Sequence, residues 1–165
     1  NLKLVTVEQE LQGVRNYLSL QQIMTARDIQ CDIEVEERLG KYLIPTFSLL
    51  SFVENSVKFG RKDKKKLLIG IKISVFTDRD KEFINITVLD NGPGFSKENL
   101  EGLNKKCDFS YHSAHVGIEN IRHRLWLLYK EEGTVIFSNI EGSGACVQIF
   151  LPSPRLEEQA ADLLF

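Results

Sequence analysis

Apolar residues at Val7, Leu11, Val14 and Leu18 recur at alternating steps of four and three, directly after the capping box Thr6-Val-Glu-Gln9. The pattern predicts a helix to about Thr25 with one narrow apolar seam, suited to a helix partner as well as to a core. The period then changes to two. Ile29, Cys31, Ile33 and Val35 alternate with Gln30, Asp32, Glu34 and Glu36, as in a half-buried strand with an acidic outer face. A second helix is expected with Pro45 in its first turn and Gly60 beyond its end, carrying Leu49, Leu50, Phe52, Val53 and Val57.

Further on, 68–77 and 82–89 read as strands joined by the hairpin-length turn Asp78-Arg-Asp-Lys81. Residues 96–115 are polar, low in periodicity, and expected to be mobile. Ile118, Ile121, Leu125 and Leu128 mark a helix from Gly117 to near Gly133. Two more strands, 134–140 and 145–151, turn at Glu141-Gly-Ser-Gly144, and Leu156, Ala160, Leu163 and Leu164 would suit a short helix in the tail. Strands that follow one another through short turns pair antiparallel. The predicted fold is therefore α+β, a two-layer sandwich of a mixed, mostly antiparallel sheet with helices on one face.

The 165 residues fit one main domain, read as 27–152, preceded by a helical segment 1–26 and followed by a tail 153–165. A 42% apolar and 27% charged composition is that of a folded globule, and a net charge of -2 gives no pull toward nucleic acid. Cys31, Cys107 and Cys146 are scattered, an odd set that reads as reduced thiols rather than a disulfide framework or zinc site. No apolar run reaches the ~18 residues of a membrane helix. The chain starts at Asn1 and enters a helix at once, which is expected of a piece of a longer protein.

Three segments carry chemistry. In Leu89-Asp-Asn-Gly-Pro-Gly-Phe95, Asp90 continues the apolar row Ile84, Ile86 and Val88. An unpaired carboxylate there is costly, so it needs a donor, such as the exocyclic amine of adenine. The same Asp could instead simply begin the turn. Gly92 and Gly94 provide positive φ or close backbone approach for a ligand ring. In Phe52-Val-Glu-Asn-Ser-Val-Lys-Phe-Gly60, the Asn55 amide oxygen can ligate Mg²⁺, Glu54 could hold a metal-bound water, and Lys58 suits phosphate oxygens. A solvated polar helix face is the plainer alternative, strained by Asn and Ser in mid-helix. Gly117 opens a helix whose N–H groups favour a polyphosphate, or it marks ordinary helix initiation. The basic stretch Arg61-Lys-Asp-Lys-Lys-Lys66 reads as a solvated loop, and His112 and His115 near Cys107 lack a second ligand pair for a metal. Neither a P-loop nor a Gly-x-Ser-x-Gly elbow is present.

At these residues the sequence resembles the ATP-binding domain of sensor histidine kinases, in the superfamily that includes gyrase, MutL and the HSP90 chaperones. It looks most like the LytS/YesM-like kinases. Val53-Glu-Asn-Ser-Val-Lys-Phe-Gly60 matches their N box, Asp90-Asn-Gly-Pro-Gly94 their G1 box, and Gly117-Ile-Glu-Asn-Ile-Arg-His-Arg-Leu125 their G2 segment. Val5–Leu11 with Val14–Leu18 is similar to the end of their dimerisation helix and linker, and Gly142–Pro152 to their closing strand.

The resemblance covers about residues 5–152. It implies a Bergerat-type fold that binds Mg-ATP under a mobile lid at about 96–116. By match, Asn55 would ligate Mg²⁺, Glu54 and Lys58 would act at the phosphates, Asp90 with Gly92 and Gly94 would hold adenine, and Gly117 and Asn120 would complete the nucleotide site. The family passes the γ-phosphoryl to a histidine on a dimerisation helix and then to a response regulator, within a homodimeric parent in the cell membrane whose kinase domain is cytoplasmic.

Four departures stand out. No Asn-Pro-His-Phe-type acceptor box is present, so the fragment is not expected to phosphorylate itself. The family's Gly-x-Gly before the G2 helix is His115-Val-Gly117, its His after the N-box lysine is Phe59, and its closing-strand Thr is Ala145. These leave open a degenerate kinase that serves as a dimerisation or signalling module through the Val7–Leu18 seam. A third reading, an ATPase or serine kinase of the superfamily, is opposed by Ser51, where gyrase-like ATPases carry a catalytic Glu.

Overall fold

The computed structural model describes residues 3–60, 63, 66–105, 116–142 and 144–153. After β1 (Leu4–Thr6), α1 runs over Val7–Thr25. The capping box forms as expected: the Thr6 hydroxyl accepts from the Gln9 N–H at 3.1 Å and the Gln9 side chain accepts from the Thr6 N–H at 2.9 Å. Val7, Leu11, Val14 and Leu18 are all buried in the common core. Of the two uses open to that seam, the core takes it, so the dimerisation reading loses the surface it needed.

A five-stranded sheet has the order β2-β4-β5-β7-β6, comprising β2 (Ile29–Val35), β4 (Leu67–Asp78), β5 (Lys81–Asp90), β7 (Ala145–Pro152) and β6 (Thr134–Asn139). β2 lies parallel to β4 and every other pair is antiparallel. Alternation sorts the side chains. Ile69, Ile71, Ile73, Ile84, Ile86, Val88, Val147, Ile149 and Leu151 are buried on one face, whereas Leu68, Lys72 and Ile136 are exposed on the other. The turn between β4 and β5 has Arg79 and Asp80 both at positive φ, as a two-residue hairpin of this twist requires.

Helices α2 (Leu50–Phe59), α3 (Lys97–Asn104) and α4 (Val116–Tyr129) pack with α1 on the buried face, which completes the two-layer sandwich. Two expectations change. Pro45 is not in the first turn of a helix; it ends β3 (Leu43–Pro45), which pairs antiparallel with β1, and α2 begins five residues later. That small pair was not foreseen, because three residues are too few to show a period. The polar stretch after Gly94 is not wholly irregular: Ser96 caps α3, its hydroxyl accepting from the Asn99 N–H, and Leu103 is buried. Eight residues with two apolar positions were too weak a signal. The tail helix, the lid residues 106–115 with Cys107, His112 and His115, and most of the basic loop lie outside the described residues. Among the described residues no helix is long and apolar enough to cross a membrane.

Candidate functional site

A cavity of about 270 Å³ opens between α2, the end of β5 and the segment leading into α3. Phe52, Phe59, Phe95, Leu103, Ile118, Phe137 and Val147 form its apolar walls, and Asn55, Ser56, Asp90 and Asn99 its polar points. An apolar slot with a few convergent polar groups is what a small planar ligand needs. Phe137 stands at its back, edge-on to both Phe52 (6.1 Å between centroids) and Phe95 (5.8 Å).

Asp90 sits at the floor, 9% exposed. Strand alternation puts it there, one step beyond Val88 on the buried face. Its Oδ1 accepts from the Gly92 N–H at 2.9 Å and the Ala145 N–H at 3.2 Å, and its Oδ2 accepts from the Ser56 hydroxyl at 2.9 Å. Of the two sequence readings of Asp90, the structure shows the turn. Oδ1 makes the turn; Oδ2, with Ser56 as one donor, has acceptor capacity left at the cavity wall. Burial of Asp90 does not by itself demand a ligand, because the fold already satisfies this carboxylate.

The two glycines after Asp90 divide their work. Gly94 has φ +76°, and a Cβ there would stand 2.7 Å from the Asn139 amide oxygen. Gly92 needs room instead: a Cβ would come within 2.9 Å of both Asp90 Oδ1 and the Gly60 backbone.

Sequence reasoning missed three contributors. In the sequence Ser56 stands out only as an odd residue in mid-helix, yet it is the side-chain donor to Asp90. Asn139 accepts from the Phe95 N–H at 2.7 Å and donates to the Phe95 carbonyl at 2.8 Å. Asn104 does the same to Phe137, at 3.0 and 2.8 Å. These amides pin the segment entering α3, and the last residue of α3, to β6. An Asn at a strand end, where Asn is a poor strand former, was the available signal.

Asn55 lines the cavity beside Ser56, while Glu54 and Lys58 lie on another face of α2, in a groove shared with Tyr17, Gln21, Arg27 and Val57. Asn55 and Lys58, three apart, thus border different hollows. Both charged residues are exposed, and the Lys58 ammonium rests 5.1 Å from the centre of the Phe59 ring. Tyr17 feels the groove: burial and Glu54 raise its pKa, against Arg27. Gly117 and Asn120 are exposed on the first turns of α4, and a Cβ at Gly117 would meet open space. Ile118 between them reaches the cavity.

Among the described residues no three His, Cys, Asp or Glu groups gather as a metal cluster. Asn55, half-buried at the cavity wall, offers a single amide oxygen and makes no side-chain hydrogen bond among the described residues. Such a donor set fits Mg²⁺ carried in on a polyphosphate, which takes one or two protein oxygens and keeps phosphate and water for the rest.

Residues 48–155 match the family of histidine kinase-, DNA gyrase B- and HSP90-like ATPases. The chain is 30% identical over 159 residues to the sensor protein LytS of Enterococcus faecalis, and 30% identical over 156 residues to the sensor histidine kinase/phosphatase LytS of Staphylococcus aureus. In each case 94% of this chain aligns with 26% of the relative, so the chain spans about a quarter of their length. The fold is similar to the catalytic domain of histidine kinase ThkA (TM-score 0.64, 15% identity, 92% of this chain and 95% of that one). It is also similar to the histidine kinase AdeS of Acinetobacter baumannii (TM-score 0.62, 14% identity, 94% and 68%). The chain therefore belongs to the family of histidine kinase-, DNA gyrase B- and HSP90-like ATPases, as a LytS-like ATP-binding domain.

Proposed function

We propose that the chain is the catalytic domain of a two-component sensor histidine kinase, which binds Mg-ATP and presents its γ-phosphoryl to a histidine on a dimerisation helix outside this sequence. A response regulator would be the final acceptor, and the parent would be a homodimer in the cell membrane with this domain in the cytoplasm. One observation carries the reading: a single cavity joins the Asp90 carboxylate to the Asn55 amide across an apolar slot.

In this reading the adenine amine donates to the free position on Asp90 Oδ2, and the purine lies between the apolar walls near Gly92 and Gly94. A hydrogen bond to an ionised partner contributes about 1.5–3 kcal/mol. Ser56 and the Gly92 and Ala145 N–H groups hold the carboxylate still before the ligand arrives, so little ordering is left to do on binding. Asn55 would hold the metal. Mg²⁺, when bound, neutralises charge on the β- and γ-phosphates. Glu54 and Lys58 stand on the outward side of α2, where Lys58 can meet phosphate oxygens as a point charge and Glu54 can orient water or the incoming acceptor. Gly117 and Asn120 would line the phosphate end at the start of α4.

Two departures from the family pattern are compatible with binding. At Ala145 the backbone N–H already serves Asp90, and Phe59 is part of the apolar wall. Calorimetry of Mg-ATP against this domain tests the proposal. Micromolar to millimolar affinity is expected, greatly reduced in Asp90→Asn; no heat and no thermal shift at millimolar nucleotide would end the catalytic reading.

A further inference from the structure

The helix that carries Asn55 and Ser56 does not cap itself. Its N-cap position is Leu49, with no side-chain acceptor for the free N–H groups of the first turn. The Ser51 and Phe52 N–H groups go to the Phe47 and Leu49 carbonyls, but those of Leu49 and Leu50 go to a different helix. Glu10 of α1, only 7% exposed, accepts from the Leu49 and Leu50 N–H groups through Oε1, at 3.2 Å each. At the other end, Arg27, two residues past α1, donates from Nη1 to the Val57 carbonyl at 2.7 Å.

An acid thus faces the positive end of α2 and a guanidinium its negative end, each complementing the helix dipole. Both come from one stretch of chain, α1 and the turn after it. The match at residues 48–155 does not include that stretch.

We propose that Glu10 and Arg27 are positioning residues of the nucleotide site, clamping α2 at both ends and setting its place along its own axis. The tolerance is small. Ser56 meets Asp90 at 2.9 Å, and a shift of about 1 Å along the line of that bond takes the pair beyond hydrogen-bonding range. The same shift moves Asn55 relative to the cavity floor, because β5 does not move with α2. α1 itself is held to the core by Val7, Leu11, Val14 and Leu18, so the clamp has a rigid base.

The affinity part of this proposal rests on the Mg-ATP reading; the clamp itself does not. The test combines backbone hydrogen exchange with calorimetry on Glu10→Gln, which keeps shape and one acceptor oxygen, Glu10→Ala, and Arg27→Met. In Glu10→Ala and Arg27→Met, α2 amides are expected to exchange about tenfold faster while β5 amides are unchanged, and Mg-ATP affinity should fall three- to tenfold. Glu10→Gln should stay within about threefold of the parent on both measures, and it remains informative if Glu10→Ala does not fold. Equal acceleration in α2 and β5 would overturn the proposal, since that is general destabilisation. Local acceleration in α2 with unchanged affinity would also overturn the positioning role. If the parent binds no nucleotide yet α2 still loosens locally, the clamp stands and the nucleotide reading falls.

Discussion

The cavity floor and the outer face of α2 lie within one helical turn of each other and are built on opposite plans. At the floor, Asp90 is buried and both its oxygens accept hydrogen bonds, from Ser56, Gly92 and Ala145. On the outer face, Glu54 and Lys58 are exposed and belong to an open groove. A buried, satisfied carboxylate is expensive to rearrange and so recognises one shape. Exposed charges move freely, are screened, and suit a ligand part that must be handed on. Under the proposed function, base recognition at Asp90 would be rigid and phosphate handling at Glu54 and Lys58 adaptable.

Substitutions can break that contrast in order of size. Asp90→Asn removes the charge on which three donors converge. ATP affinity should fall about 10- to 100-fold by calorimetry, with a lower melting temperature, because the Asn side chain presents donors where acceptors are needed. Asn55→Ala should leave the fold intact yet make nucleotide affinity insensitive to added magnesium, which a magnesium titration at fixed ATP would read.

Ser56→Ala is a sharper test of rigidity. It deletes one donor to Asp90, with an expected loss of about 1–2 kcal/mol in stability and up to tenfold in affinity. Should it cost nothing on either measure, the floor is not held as described. Lys58→Ala should cost least, under about tenfold, and the effect should shrink as salt rises from 50 to 300 mM, whereas that of Asp90→Asn should not.

Alkaline pH separates stability from the site. Burial pushes the Cys31 thiol up to about 11 and the Tyr129 phenol up to about 12, and neither lines the cavity. Folded values above the unfolded ones, about 8.5 and 10, mean that each group contributes stability in full below the unfolded value and loses it as pH rises through the folded one. Denaturant midpoints should hold to about pH 8 and then fall between about pH 9 and 12. Cys31→Ser should flatten the first part of that fall. Affinity per folded molecule should stay level up to about pH 8.5.

Much of this arrangement was legible in local sequence. The period-two run placed β2, the capping box placed α1, and the apolar row ahead of Asp90 put that carboxylate on the buried face. Pro45 misled, because its fixed φ suits a strand end as well as a first helical turn, and the choice was made by pairing with β1 across 41 positions (Leu4 with Pro45). The Val7–Leu18 seam had two equal uses until the sheet was present to receive it.

By itself, then, the sequence determined which residues share a face and which chemistry each segment carries, since those follow from spacing along one strand or helix. Tertiary structure alone decided which faces meet: that Ser56 closes on Asp90, that Asn55 and Lys58 border separate hollows, and that Glu10 and Arg27 hold the ends of α2. The reason is that a hydrogen bond between distant segments depends on distances of a few tenths of an ångström, and those are set by how the whole core packs.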